Sequence, residues 1–460
     1  MNLHSEPASS SLKLEDLNVT RLIEESGLST IQIKVFCLCA IVALVDGFDS
    51  QLLGPAAPSI ASSLHLRVGD FGPIFSASQV GFFLGALILG PAADYFGRRR
   101  VLVATTSVFA AFTLLTALSH SFFSLLLYRF IVGVALGRAS PSFIGLAAEY
   151  LPLRRRTQLV TMLWAAVPLG GMLGAAASSA LIQYPGWQAS FYVGGFISLV
   201  LALLLGLSLP ESIGFLVKEG ESEAKVRSII KKITGGEVDL ERRLVVDDHN
   251  AQGVPLRQLF QEGRALSTTY LWALCFMAWM VLIVVSFWTP TLVQNLGFTP
   301  SAAAMTLLFN NVGAVVGTVL IGSAMQRYGK FGILTLSFFG AALSIGGFGV
   351  FTSSLGYVLT SSTLSGFFLS ASCAGLIAIA ADSYPTSIRS TGIGWAIGIG
   401  RIGSIVGPVF AGQLLTFHHS AREIYLAFGI PCLCASVFVM LLWRHTRRAS
   451  GSGQEALPLA

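Results

Sequence analysis

Of the 460 residues, 53% are hydrophobic and only 11% charged, with a mean hydropathy of +0.72 and a net charge of +6. That is more apolar surface than a soluble core can bury, and it marks a polytopic helical membrane protein. A soluble enzyme is excluded, and the positive balance is a matter of membrane topology rather than of nucleic-acid binding.

The polar stretch MNLHSEPASSSLKLEDLN lacks a basic region feeding an apolar core and a cleavage site, so residues 1–30 read as a cytoplasmic tail. Spanning windows are predicted near 31–55, 72–93, 101–119, 122–149, 157–182 and 188–209, then near 268–290, 302–325, 331–352, 356–381, 391–416 and 423–443. They divide into an N-terminal six-helix bundle (31–212) and a C-terminal one (268–443), with an inter-bundle loop at 213–267 and a tail at 444–460. The basic SIIKK piece of the loop fits a short surface helix or a solvated linker equally well. With both termini inside, about 24 of the 29 Lys and Arg residues lie on the cytoplasmic side. Arg67 and Arg422 then lie outside, and Arg129, Arg138 and Arg401 lie within spans.

The first window carries Asp46 and Asp49 in IVALVDGFDSQLLG. Intramembrane acids mark an ion or substrate path, and i, i+3 spacing puts both on one helix face. The six cysteines all fall in apolar spans, which excludes a disulfide framework, and the CxC pairs point to different faces with no His nearby, so no metal site is expected. The seven His lie near span ends, in loops or in tails, leaving Asp and Glu as the better proton carriers.

An internal repeat follows. GPAADYFGR (90–98) aligns with GSAMQRYGK (322–330) at an offset of 232, and AAEYLP (147–152) with AADSYP (380–385) at 233. The chain is therefore a duplication.

GPAADYFGRRR (90–100) and the small-residue pattern RFIVGVALG (129–137) resemble the major facilitator superfamily signatures. Within it, DGFD (46–49), AAEYLP, LPES (209–212) and RSTGIGWAIGIGRIGSIVGP (389–408) are similar to the aromatic acid:proton symporter family, which includes carriers of 4-hydroxybenzoate, benzoate and hydroxyphenylpropionates. The resemblance implies twelve helices in two pseudo-symmetric bundles and transport roles for Asp46, Asp49, Asp94, Arg129, Glu149, Arg389 and Arg401. Two departures stand out: Gln326 where relatives often carry Asp, and Arg138 where they carry a small residue.

The residues give their own reading. A carboxylate in a low-dielectric cavity needs a cation with a bidentate fork, which Arg401, flanked by Gly398, Gly400 and Gly403, can offer. Arg138 either binds that carboxylate or pairs with Asp46 or Asp49. Glu149, near Arg154 to Arg156, and Asp382, near Arg389, read as a cytoplasmic ion-pair lock, joined by Asp94 and Arg98 at the repeat. Arg129, towards the outer end of the fourth span, is placed to snorkel and is assigned to gating. Ring walls can come from Trp164, Trp272, Trp279, Phe309, Phe367, Phe368 and Trp395, and Asn310 or Asn311 can read a ring hydroxyl.

The expected activity is import of an aromatic carboxylate by proton symport through a bacterial inner membrane. Asp49, joined by Asp46, carries the proton, and the protein is monomeric with no cofactor, metal or nucleic acid. The alternatives are a carrier of a dicarboxylate or sugar acid, an exporter of aromatic compounds, and a receptor for aromatic acids. An enzyme is disfavoured because the spans hold no nucleophile and base.

Overall fold

The computed structural model describes residues 17–18, 22–24, 27–88, 92–181, 186–219, 223–234, 244–245, 256–261, 263–350, 354–385 and 388–451. Twelve helices are long and apolar enough to cross a membrane. They are α1 (Thr30–Leu64), α2 (Phe71–Ile88), α3 (Arg98–Ala117), α4 (Phe122–Tyr150), α5 (Leu153–Leu181) and α6 (Trp187–Ser208), then α7 (Ala265–Asn295), α8 (Pro300–Tyr328), α9 (Lys330–Val350), α10 (Leu355–Ser383), α11 (Arg389–Thr416) and α12 (Ala421–Gly451).

Local chemistry sets several starts. Ser29 and Gln32 form a capping box at α1, the Ser121 hydroxyl accepts the Ser124 amide at α4, and Thr299 caps α8 with Pro300 in its first turn. The first window reaches Leu64 rather than residue 55, because a two-residue turn at Gln51–Leu52 is followed by a second helix, Leu53–Leu64. The added turns carry Pro58 and several serines, which diluted the apolar signal.

Glycines let backbones meet, and they do so twice over. In the first half Gly81 and Gly85 of α2 pack on Phe130 and Val134 of α4, while Gly133 and Gly137 of α4 pack back on Ser78 and Phe82. In the second half Gly313 and Gly317 of α8 pack on Thr363 and Phe367 of α10, and Gly366 packs back on Asn310. The pairs α1 with α5 and α3 with α6 likewise recur as α7 with α11 and α9 with α12, so the internal repeat is a repeat of packing.

The hydrophobic core is divided unevenly along the molecule. At the end carrying Leu53, Phe71 and Leu292, one cluster takes residues from both bundles. At the opposite end, where the arginine-rich turns lie, each bundle has its own cluster. The bundles are thus sealed together at one end and separately packed at the other. The inter-bundle segment adds a helix, Glu223–Thr234, whose apolar residues Val226, Ile230 and Ile233 are buried in the N-terminal bundle's own cluster. The SIIKK piece is therefore a helix docked on protein, because three apolar residues on one face find a core to enter. A two-residue parallel pairing joins Leu17–Asn18 to Leu244–Val245.

Candidate functional site at the bundle seam

The sealed end is built from small residues and aromatic rings. Gly69 lies against Gly412, Gly72 against Pro408, and Gly54 against the Phe287 carbonyl. The Ser76 hydroxyl donates to the Ile405 carbonyl at 2.6 Å, Gln294 donates to the Pro55 carbonyl at 3.4 Å, and the Ser179 and Ser301 hydroxyls meet at 2.6 Å. Phe75 of α2 stacks on Phe287 at 4.9 Å and meets Trp288 edge-on at 5.2 Å.

Midway along the seam stands Arg401. Its guanidinium lies over the Phe82 ring, 4.1 Å from the centroid, so α11 and α2 meet here through a cation–π contact. The Arg401 guanidinium makes no hydrogen bond to any described residue. Across the seam, Asp46 of α1 acts on it electrostatically. Asp46 also accepts a long hydrogen bond, 3.5 Å, from Ser140 of α4.

Asp49 is differently placed, though only three residues away. Arg129 donates to both of its oxygens, at 2.8 and 3.4 Å, and Thr113 of α3 donates at 3.2 Å. Asp49 is 1% exposed and Arg129 4%. Arg129 therefore does not snorkel at the outer end: a buried carboxylate and two helix contacts hold it inward. Nine residues make two and a half turns, so Arg138 leaves α4 on the side opposite Arg129, away from Asp49; it is 3% exposed. Of the alternatives open for Arg138, carboxylate binding or pairing with Asp46 or Asp49, the Asp49 place is taken by Arg129.

The two expected lock acids also have other partners. Glu149 is bonded to Arg98 at 3.0 Å and accepts the Ser212 hydroxyl at 2.6 Å, while Asp382 is bonded to Lys330 at 2.8 Å. Neither takes the nearby arginines expected of it: Arg154 and Arg155 are exposed, and Arg389 donates to the Tyr384 carbonyl at 3.4 Å. The offsets explain the outcome, since Arg98 with Lys330 and Glu149 with Asp382 are the repeat mates. Each pair lies within one bundle. The Asp94 side chain lies outside the described residues.

The sequence reading assigned no role to Glu211, which accepts the amides of Arg99 (2.8 Å) and Ser212 (2.9 Å) and fills the space beside Gly97. Tyr150 donates to the Glu211 carbonyl at 2.7 Å. LPES had signalled Glu211 without saying what it holds. Thr113, Phe82 and Ser140 gave no signal at all.

Of the expected polar and aromatic wall residues, the seam takes some and not others. Asn310 donates to the Ser362 carbonyl and the Ser365 hydroxyl, both at 3.2 Å, so it ties α8 to α10 rather than facing a ligand. Asn311 lies against Gly171 of α5 across the seam. Trp164, seven residues before Gly171 and so on the same face of α5, is 52% exposed. Trp395 lies a third of a turn round α11 from Arg401 and stacks on Trp272 at 5.9 Å, which takes its ring off the Arg401 face. Gly394 and Gly398 do share that face, and no atom stands within 4 Å of where their side chains would begin. The open space between the bundles therefore runs from Arg401 towards the arginine-rich end. Among the described residues no group of His, Cys, Asp and Glu could hold a metal ion.

Two six-helix halves closing on a polar, charged seam define a membrane carrier. The Major Facilitator Superfamily profile matches residues 39–360 and 292–459, and the chain belongs to that family. A 4-hydroxybenzoate transporter of Acinetobacter baylyi is 34% identical over 445 residues, covering 94% of this chain and 95% of the relative. A gallate transporter of Pseudomonas putida is 32% identical (92% and 94% covered), as is a 3-(3-hydroxy-phenyl)propionate transporter of Escherichia coli (89% and 94%). The fold is that of a D-xylose-proton symporter structure, with a TM-score of 0.70 at 17% identity over 88% of this chain and 97% of the other. The relatives are transporters of aromatic acids, not enzymes.

Proposed function

We propose that this protein imports an aromatic carboxylic acid together with protons across a bacterial inner membrane, as a monomer with both termini in the cytoplasm. The observation that carries the reading is Arg401: a guanidinium with no hydrogen bond to the described protein, resting on Phe82 and faced by Asp46. A planar bidentate donor beside an aromatic ring suits a ring carboxylate. The relatives' substrates support the class of cargo.

The division of labour between the two acids departs from the expectation. Asp49 is the anchor of a closed ion pair, while Asp46 is the proton carrier because it faces Arg401 and the seam. When ionised, Asp46 competes for the Arg401 charge. Protonated, it leaves that charge to the incoming carboxylate, so proton and substrate bind together. With the arginine-rich end inside, the form described is open to the cytoplasm and sealed outside. A monoanion carried with one proton moves no net charge and is driven by the pH gradient, about 1.4 kcal/mol per unit. A second proton would add about 2.3 kcal/mol per 100 mV.

Uptake of labelled benzoates, hydroxybenzoates and hydroxyphenylpropionates into proteoliposomes, with an inward proton gradient and with a protonophore, tests the reading. Concentrative uptake that the protonophore abolishes is expected, with Asp46→Asn losing accumulation but keeping exchange. Absence of uptake of any aromatic acid would overturn it.

A further inference from the structure

Gln79 is a polar side chain of the seam that neither the sealed end nor the Arg401 pair employs. Gln79 of α2 is 9% exposed, and its side-chain carbonyl oxygen is buried with no hydrogen-bond donor. A buried acceptor left unmet is unfavourable and rare in a settled fold, so its persistence calls for an explanation.

Its place on the helix supplies one. Gln79 follows Ser76, whose hydroxyl reaches Ile405 of α11, and precedes Phe82, whose ring carries Arg401, by three residues each. Gln79 thus lies on the α2 face turned to α11, about one turn beyond Phe82 towards the sealed end. It occupies the boundary between the closed contact and the open space. Parting of α2 from α11 at the sealed end, which alternating access requires, uncovers this oxygen next to Arg401.

An amide oxygen can only accept. A ring carboxylate held by Arg401 has no proton to donate, so the donor must sit on the ring itself. Resting on the reading that the cargo is an aromatic acid held by Arg401, we propose that Gln79 selects hydroxylated rings, its carbonyl accepting the ring hydroxyl in the outward-facing form. Closure at that end then withdraws Gln79 behind the α2–α11 contact, so the hydroxyl loses its acceptor as the cavity opens to the cytoplasm. Sites that must hydrogen-bond a substrate hydroxyl reject analogues lacking it, because the acceptor stays unpaired.

The test is competition from outside proteoliposomes. Benzoate and its 2-, 3- and 4-hydroxy derivatives compete against a labelled transported aromatic acid, with wild type and Gln79→Met. At least one hydroxy isomer should outcompete benzoate by about tenfold in wild type. Gln79→Met should bring the two to parity by weakening the hydroxy acid alone. Equal competition in wild type overturns the proposal even if the variant does not fold. An unchanged ratio in Gln79→Met, or an equal loss for both acids, also overturns it. Should no aromatic acid be transported by wild type, the cargo reading fails first, an outcome distinct from transport without discrimination.

Discussion

Removing either partner of the Asp49–Arg129 pair should destabilise the protein far more than removing both. The two side chains are 1% and 4% exposed, and Asp49 takes hydrogen bonds from Arg129 at 2.8 and 3.4 Å and from Thr113 at 3.2 Å. Asp49→Asn strands a buried guanidinium and Arg129→Gln strands a buried carboxylate, each at about 3–5 kcal/mol. In Asp49→Asn/Arg129→Gln no charge is left and two amides can still bond. The double variant should therefore recover most of the loss: with single costs of about 4 kcal/mol each and a double cost of about 2, the coupling energy is about 6 kcal/mol, well above the additive limit of about 0.5. Thermal unfolding of the four proteins in detergent measures this cycle. Counterflow exchange in membranes then asks whether the double variant still moves substrate. Additive single effects would refute the closed-pair argument. So would an Asp49→Asn protein with wild-type stability that fails only in proton-driven accumulation, and that result would return the proton to Asp49.

Cysteines at Ser179 and Ser301, in a background lacking the six native ones, should crosslink without added strain, since the hydroxyls are 2.6 Å apart. Oxidation should stop uptake and reductant restore it; uptake by the fully crosslinked protein would show that this end need not part. Gly97→Ala should lower stability by about 1–3 kcal/mol, since φ is +92° and the new carbon would stand 2.7 Å from Glu211. Melting of this variant within error of wild type would contradict it. At Gly398, by contrast, an added side-chain carbon finds open space, with nothing beyond its own stretch of helix within 4 Å, so Gly398→Val is accommodated. It should melt like wild type while raising the KM for uptake, and an unchanged KM would remove Gly398 from the cavity wall.

What the sequence made legible was what repeats or what is local. Twelve apolar windows and the duplication need only periodicity and spacing. The intra-bundle pairs Arg98–Glu149 and Lys330–Asp382 were also within reach, because the offsets 232 and 233 map one pair onto the other. Proximity along the chain pointed instead to Arg154–Arg156 and Arg389, and it misled because the residues facing Glu149 and Asp382 come from the neighbouring helix's start. What periodicity does not carry is the register between helices. Thr113 and Phe82 look like any Thr and Phe of an apolar span, and only the crossing of α1 with α3, or of α2 with α11, gives them a charge to hold.

Asp46 and Asp49 make the same point more sharply. On one helix face, three residues apart, they are equivalent to any argument from spacing, and a membrane should penalise both. The fold separates them by what stands opposite. Asp49 meets an arginine of its own bundle, so its partner travels with it through any rocking of one half against the other. Asp46 meets an arginine of the other bundle, so its electrostatic environment must change when the halves move. A proton that is to be exchanged between the two sides needs a carrier of the second kind: a carboxylate whose partner is constant has no reason to release its proton on one side rather than the other. Under the proposed symport, coupling falls to the acid that faces the seam and architecture to the acid that does not.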